Sequence, residues 1–227
     1  MPYGACEADF DRVRELGRMP FLFDPADGLV HLVYAGALLP KAFVVLERLL
    51  QGLARLRETR PEVAARIRMH FVGTGSSPSD PRGFNVRPHA ERMGLLQHVD
   101  EHPHRIGYVD VLNHLMHSSG ILILGSTEPH YTPSKVFQSL LAGRPVLALL
   151  HSRSTAVELL RKTGGGRAVT LEEGRLPDAA SIADELERLA NAPWPGATRA
   201  ALAAASGFSA RDSARELARA LDRAVRG

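Results

Sequence analysis

Lys135 stands in the run Thr132-Pro133-Ser134-Lys135-Val136-Phe137. The apolar spacing that follows, closed by Gly143 and Pro145, predicts a helix over Pro133–Ala142. A lysine in a first helical turn sits where the helix dipole is already positive, which is mildly unfavourable unless both share an anion. The N–H groups of Ser134, Lys135 and Val136 would point out of that helix start. Together with the Lys135 ammonium they make a site for a phosphate or carboxylate. Gly36, Gly73 and Gly75 end two earlier apolar runs and would let a ligand come close to the backbone. Lys41 lies just beyond Gly36. Taken singly these signals are weak. Gly73-Thr74-Gly75 lacks the rest of a Gly-x-Gly-x-x-Gly fingerprint, and a lone lysine such as Lys41 is more often a solvated helix-start residue.

Other chemistries are less well supplied. Among the 10 histidines, His98, His102 and His104 cluster, but no cysteine or carboxylate stands at ligand spacing, so no metal site is expected. There is no Gly-x-Ser-x-Gly elbow, and Cys6 lies in the atypical N-terminal stretch, which argues against nucleophilic hydrolysis.

The elements that must position these residues alternate. Val30–Gly36 is a near-continuous apolar run, as expected of a buried parallel strand. A helix follows with Val45, Leu46, Leu49, Leu50, Leu53 and Leu56 on one stripe. Further strands are expected up to Gly73, around Val99, in Gly120-Ile121-Leu122-Ile123-Leu124, from Pro145 to Leu150, and in Gly166–Leu171. Helices are expected from Pro88, over Val109–Ser119, at Pro133–Ala142, and from a Ser154 cap. The pattern is that of an α/β, doubly wound, Rossmann-like parallel sheet over residues 30–227, with a helical tail from about 177 packed on it. Residues 1–29, with one helix over Glu7–Leu16, read as a linker entering that domain.

The 227 residues are 44% apolar and 23% charged, with a formal net charge of +3, ordinary for a globular protein. The arginine excess is dispersed, which disfavours nucleic acid or a membrane surface as partner. A single cysteine excludes an internal disulfide and points to a reducing compartment. No signal peptide is evident, and no apolar run approaches the roughly 18 residues of a membrane span. A cytoplasmic location is the expectation.

Taken together, Tyr34-Ala35-Gly36-Ala37, His70-Phe71-Val72-Gly73-Thr74-Gly75, Arg105-Ile106-Gly107-Tyr108-Val109 and above all Pro133-Ser134-Lys135 through Ala142-Gly143-Arg144-Pro145-Val146 resemble the C-terminal half of a GT-B glycosyltransferase. The likeness is to retaining, nucleotide-sugar-dependent bacterial enzymes. It implies a domain that binds a nucleoside-diphosphate sugar as donor substrate, with no resident cofactor. By resemblance, Gly36, Lys41 and the segment Ser134–Val136 would face the diphosphate, Ile106–Val109, including Tyr108, the base, and Gln138 the ribose; Gly73 and Gly75 border the same site. Many such enzymes carry two glutamates separated by seven residues. Here those positions hold His130 and Gln138, and Glu128 lies two residues away, so His130 and Glu128 are the weak candidates for catalysis. Ala37 replaces a frequent arginine. The resemblance implies an acceptor-binding N-terminal domain as partner, with the isolated chain binding donor but transferring poorly. The competing reading is a non-catalytic interaction module derived from the same fold. A related sugar-nucleotide epimerase would need cleft carboxylates that the sequence does not supply.

Overall fold

A computed structural model describes residues 5–75, 83–129, 131–205 and 210–226 of the chain. Its elements are α1 (Glu7–Leu16), β1 (Val30–Ala35), α2 (Phe43–Thr59), α3 (Pro61–Ala64), β2 (Ile67–Val72), α4 (Arg87–Arg92) and β3 (Val99–His102). Then come α5 (Tyr108–His117), β4 (Gly120–Leu124), α6 (Lys135–Leu141), β5 (Val146–His151), α7 (Thr155–Thr163), β6 (Gly166–Leu171), α8 (Ala179–Asn191), α9 (Arg199–Ala204) and α10 (Ala210–Arg226). The six strands form one parallel sheet in the order β3-β2-β1-β4-β5-β6. This is the doubly wound Rossmann-like order.

Side chains alternate across the sheet, as strand geometry requires, and this splits the apolar residues into two cores. Leu32, Tyr34, Ile67, Met69, Phe71, Leu122 and Leu147 face α2 and α8. Val33, Ile121, Ile123, Val146 and Ala148 face the layer of α1, α5, α6 and α7. The leucine stripe expected of α2 is fully buried. Gly52 lies within that continuous helix where α8 passes it; a Cβ there would collide with Ile182. Phe10 and Val13 anchor α1 in the second core.

Several boundaries differ from the sequence expectation. The helix expected over Pro133–Ala142 is confined to Lys135–Leu141, with Ser134 at its cap position. The Ser154 hydroxyl does not cap α7; it donates to the Tyr131 carbonyl at 2.8 Å instead. The helical tail divides. α8 packs against α2 and contributes Ile182, Leu186 and Leu189 to the core, but the stripe of α10 stays exposed, with Leu217 at 46%, Leu221 at 57% and Val225 at 86%. No helix among the described residues is long and apolar enough to cross a membrane.

Candidate functional site

Reversal of strand order at β1 and β4 opens a crevice at their carboxyl ends, the place where open α/β sheets bind ligands. The crevice is a cleft of about 440 Å³ lined by, among others, Gly36, Gly73, Arg105, Ile106, Tyr108, Lys135 and Gln138. Gly36 follows β1 with φ +124°, a backbone conformation that L side chains rarely adopt, and a Cβ there would collide with Cε and Nζ of Lys135. Glycine at this position therefore lets the lysine thread from α6 across the end of β1.

Lys135 ends in an unusual setting. Its ammonium donates to the Tyr34 hydroxyl at 3.0 Å and to the Ala37 carbonyl at 3.4 Å, and lies 4.5 Å from the Tyr34 ring centroid. Among the described residues no carboxylate pairs with it. Burial alone pulls its pKa down to about 8, since desolvation disfavours the charged form. Burial pushes the Tyr34 phenol up, so this group stays neutral. It donates to the Ala37 carbonyl at 3.1 Å. The cleft thus holds a partly desolvated cation met only by neutral dipoles, an arrangement that an incoming anion would complete.

The far wall is polar and linked. Tyr108, the first residue of α5, donates its hydroxyl to Asp9 of α1 at 3.0 Å and accepts from Gln138 Nε2 at 3.3 Å. Burial first, and then the Asp9 hydrogen bond, raise the Tyr108 pKa.

Six of the sequence candidates, Gly36, Gly73, Ile106, Tyr108, Lys135 and Gln138, converge on this cleft. The other candidates that are described do not line it. Lys41 and Glu128 pair with each other at 2.5 Å on the surface, and that bond holds the Glu128 carboxyl below the usual range. Gly75 gives its N–H to the Pro103 carbonyl at 3.0 Å. Ser134 is exposed. Val136 is fully buried in the second core, and its N–H donates to the Pro133 carbonyl at 3.1 Å. The expected row of three free N–H groups is therefore not what the segment presents; the Lys135 side chain is. His130 lies outside the described residues. Among the described residues no group of three or more His, Cys, Asp or Glu is placed to hold a metal.

Sequence reasoning missed Tyr34, Arg105 and Asp9. Tyr34 is hidden in an apolar strand run, and Asp9 meets Tyr108 of the cleft wall from a segment read as a linker.

No protein-family model matches the chain, and no curated protein matches it by sequence. Solved structures do match its shape. A UDP-forming α,α-trehalose-phosphate synthase from Burkholderia xenovorans superposes with a TM-score of 0.64 at 13% identity, over 85% of this chain and 44% of that one. HepE of Anabaena, solved in complex with UDP-glucose, matches at 0.60 and 19% identity over 97% of this chain and 54% of its own. A glycosyltransferase from Rickettsia africae matches at 0.53 and 14% identity over 82% of this chain and 45% of that one. The chain has the fold of one half of a GT-B glycosyltransferase. It spans about half the length, or less, of these structural neighbours.

Proposed function

We propose that this chain is the donor-binding half of a glycosyltransferase and that the cleft between β1 and β4 takes the nucleoside diphosphate of a nucleotide sugar. The observation that carries the reading is Lys135: a half-buried ammonium without a counter-charge among the described residues, reached past a glycine that no other residue could replace without displacing it. A diphosphate at the mouth of the cleft supplies the missing charge, and a charge-assisted contact of this kind contributes about 1.5–3 kcal/mol. The exposed Arg105 adds a second cation on the same rim. The UDP-glucose complex of HepE, a structural neighbour, agrees with a nucleotide sugar as the ligand class.

Sugar transfer on this reading needs a second, acceptor-binding body that closes over the donor and excludes water; the isolated chain binds but transfers poorly. Calorimetric titration with UDP, GDP, ADP and UDP-glucose tests the proposal. Binding of at least one is expected, and absence of binding by all four removes it. The second reading, an interaction module that keeps the fold without donor chemistry, is favoured by one feature, the uncovered apolar stripe of α10.

A further inference from the structure

The hydrogen bonds on the far wall of the cleft have a fixed direction. Asp9 as a carboxylate has no proton to give, so in its 3.0 Å contact with Tyr108 the phenol must be the donor. The Tyr108 oxygen is then left with its lone pairs, and the 3.3 Å contact with Gln138 must use an amide N–H. That sets which way the Gln138 amide faces. Its Nε2 is committed to Tyr108, and its Oε1 accepts from no other described residue. Without Asp9 the phenol could turn its proton toward Gln138, and the amide would be free to flip and offer N–H groups in place of Oε1.

The chain that fixes this polarity begins outside the Rossmann-like core. Asp9 sits on α1, which Phe10 and Val13 hold in the second core, so the carboxylate is carried by a packed helix. Tyr108 is nearly half exposed, with no sheet contact to hold its hydroxyl; Asp9 and Gln138 are its partners. Arg12, Arg14 and Arg199 surround other acidic groups of this helix and do not pair with Asp9.

We propose that Asp9 is a positioning residue of the cleft: through Tyr108 it holds Gln138 with Oε1 exposed as an acceptor, so that the site selects a ligand offering an O–H or N–H donor at that wall. The inference rests on the nucleotide reading of the cleft. A wall acceptor of this kind suits a hydroxyl-bearing portion of the ligand, while Lys135 on the other wall takes the anionic portion.

The test is calorimetry with UDP, GDP and ADP on the whole chain and on Asp9→Ala, Asp9→Asn, Tyr108→Phe and the Asp9→Ala/Tyr108→Phe pair. If none of the three, nor UDP-glucose, binds the unaltered chain, both the nucleotide reading and this inference fall. If one binds, that nucleotide is the probe. Asp9→Ala is expected to weaken it about 3- to 10-fold, the effect of losing one hydrogen bond that orients the wall. Asp9→Asn, which still accepts from the phenol, restores affinity to within about 2-fold, and in the Tyr108→Phe background Asp9→Ala has no further effect. Asp9→Ala binding as well as the unaltered chain overturns the inference and leaves the nucleotide reading standing. So does an equal loss in the Tyr108→Phe background, because the loss would then come from a disturbed α1. Tyr108→Phe keeps the ring and so serves as the background for this comparison.

Discussion

Two regions of this domain bury titratable groups on the same sheet, and they resolve the cost differently. On the face toward α1 and α5, His31 and His70 meet at 2.9 Å, and His31 Nε2 bonds Asp27 at 2.9 Å. They are diagonal neighbours in the β1–β2 register, where His70 lies opposite Val33. His114 of α5 accepts from the N–H groups of Phe21 and Leu22 and bonds the Asp110 carbonyl, and Phe23 stacks over His31. This network finds its partners within the fold, His70 Nδ1 apart, which has no hydrogen bond. At the carboxyl edge, Lys135 has only neutral partners for its charge. A closed network belongs to the fold. An open one, held at a functional place in the topology, costs stability that a ligand can return.

The largest expected effect breaks the open side of that comparison. Lys135→Met should weaken the tightest-binding nucleoside diphosphate about 10- to 100-fold by calorimetry, and should also stabilise the ligand-free protein. The folded pKa of about 8 lies below the ordinary 10.5, so the charge opposes folding at neutral pH. Removing it should raise urea-unfolding stability by about 1–3 kcal/mol. Unchanged binding with lower stability would mean that Lys135 is a packing residue and nothing more.

Next comes the closed side. Burial, and then the neighbouring His31, His102 and His114, hold His70 down to about 3, and burial likewise lowers His114. Both are held below the ordinary 6.5, so their stability is fully present above that pH and is lost as pH falls through it, for His70 down toward 3. The slope is about 1.4 kcal/mol per pH unit for each such group. Urea unfolding at pH 7.5 and pH 5 should show a fall of about 2 kcal/mol from His70 alone. His70→Gln, which can still donate to His31 but cannot titrate, should lose correspondingly less; an equal fall in both would remove His70 from the network's pH response.

A smaller effect separates the regions by direction. Nucleotide affinity should decline as pH rises through about 8, where the free Lys135 amine gives up its proton, although the histidine side is then at its most stable. Affinity flat from pH 7 to 9.5 would contradict the role of the amine. The smallest effect belongs to the surface pair: Glu128→Gln should leave the urea midpoint unchanged, because Lys41 and Glu128 are both more than half exposed.

Much of the fold was legible because the strands are continuous apolar runs and the long helix has a clean stripe. Lys135 was legible too, but for a reason the structure revises. The sequence argument set it in a row of helix N–H groups, whereas the helix starts at Lys135 itself and Val136 turns its N–H inward. The partners that matter, Tyr34 and the Ala37 carbonyl, come from 98 or more residues away. Tyr34 looks like one more apolar strand residue, and only tertiary register shows its hydroxyl at the sheet edge. Asp9 was illegible for a related reason: a short amphipathic helix ahead of a Pro- and Gly-bearing loop gives no sign that it docks on α5. The stripe of α10 misled in the opposite sense, since periodicity shows that a face is apolar but not that anything covers it.

The central claim, that the cleft at the ends of β1 and β4 takes a nucleoside diphosphate on Lys135, is tested most directly by an NMR titration of the isotopically labelled chain with the tightest binder among UDP, GDP and ADP. The account predicts saturable shifts centred on Gly36, Gly73, Ile106, Tyr108, Lys135 and Gln138, absent in Lys135→Met at the same ligand concentration. Shifts centred elsewhere, or unchanged by that substitution, would contradict it.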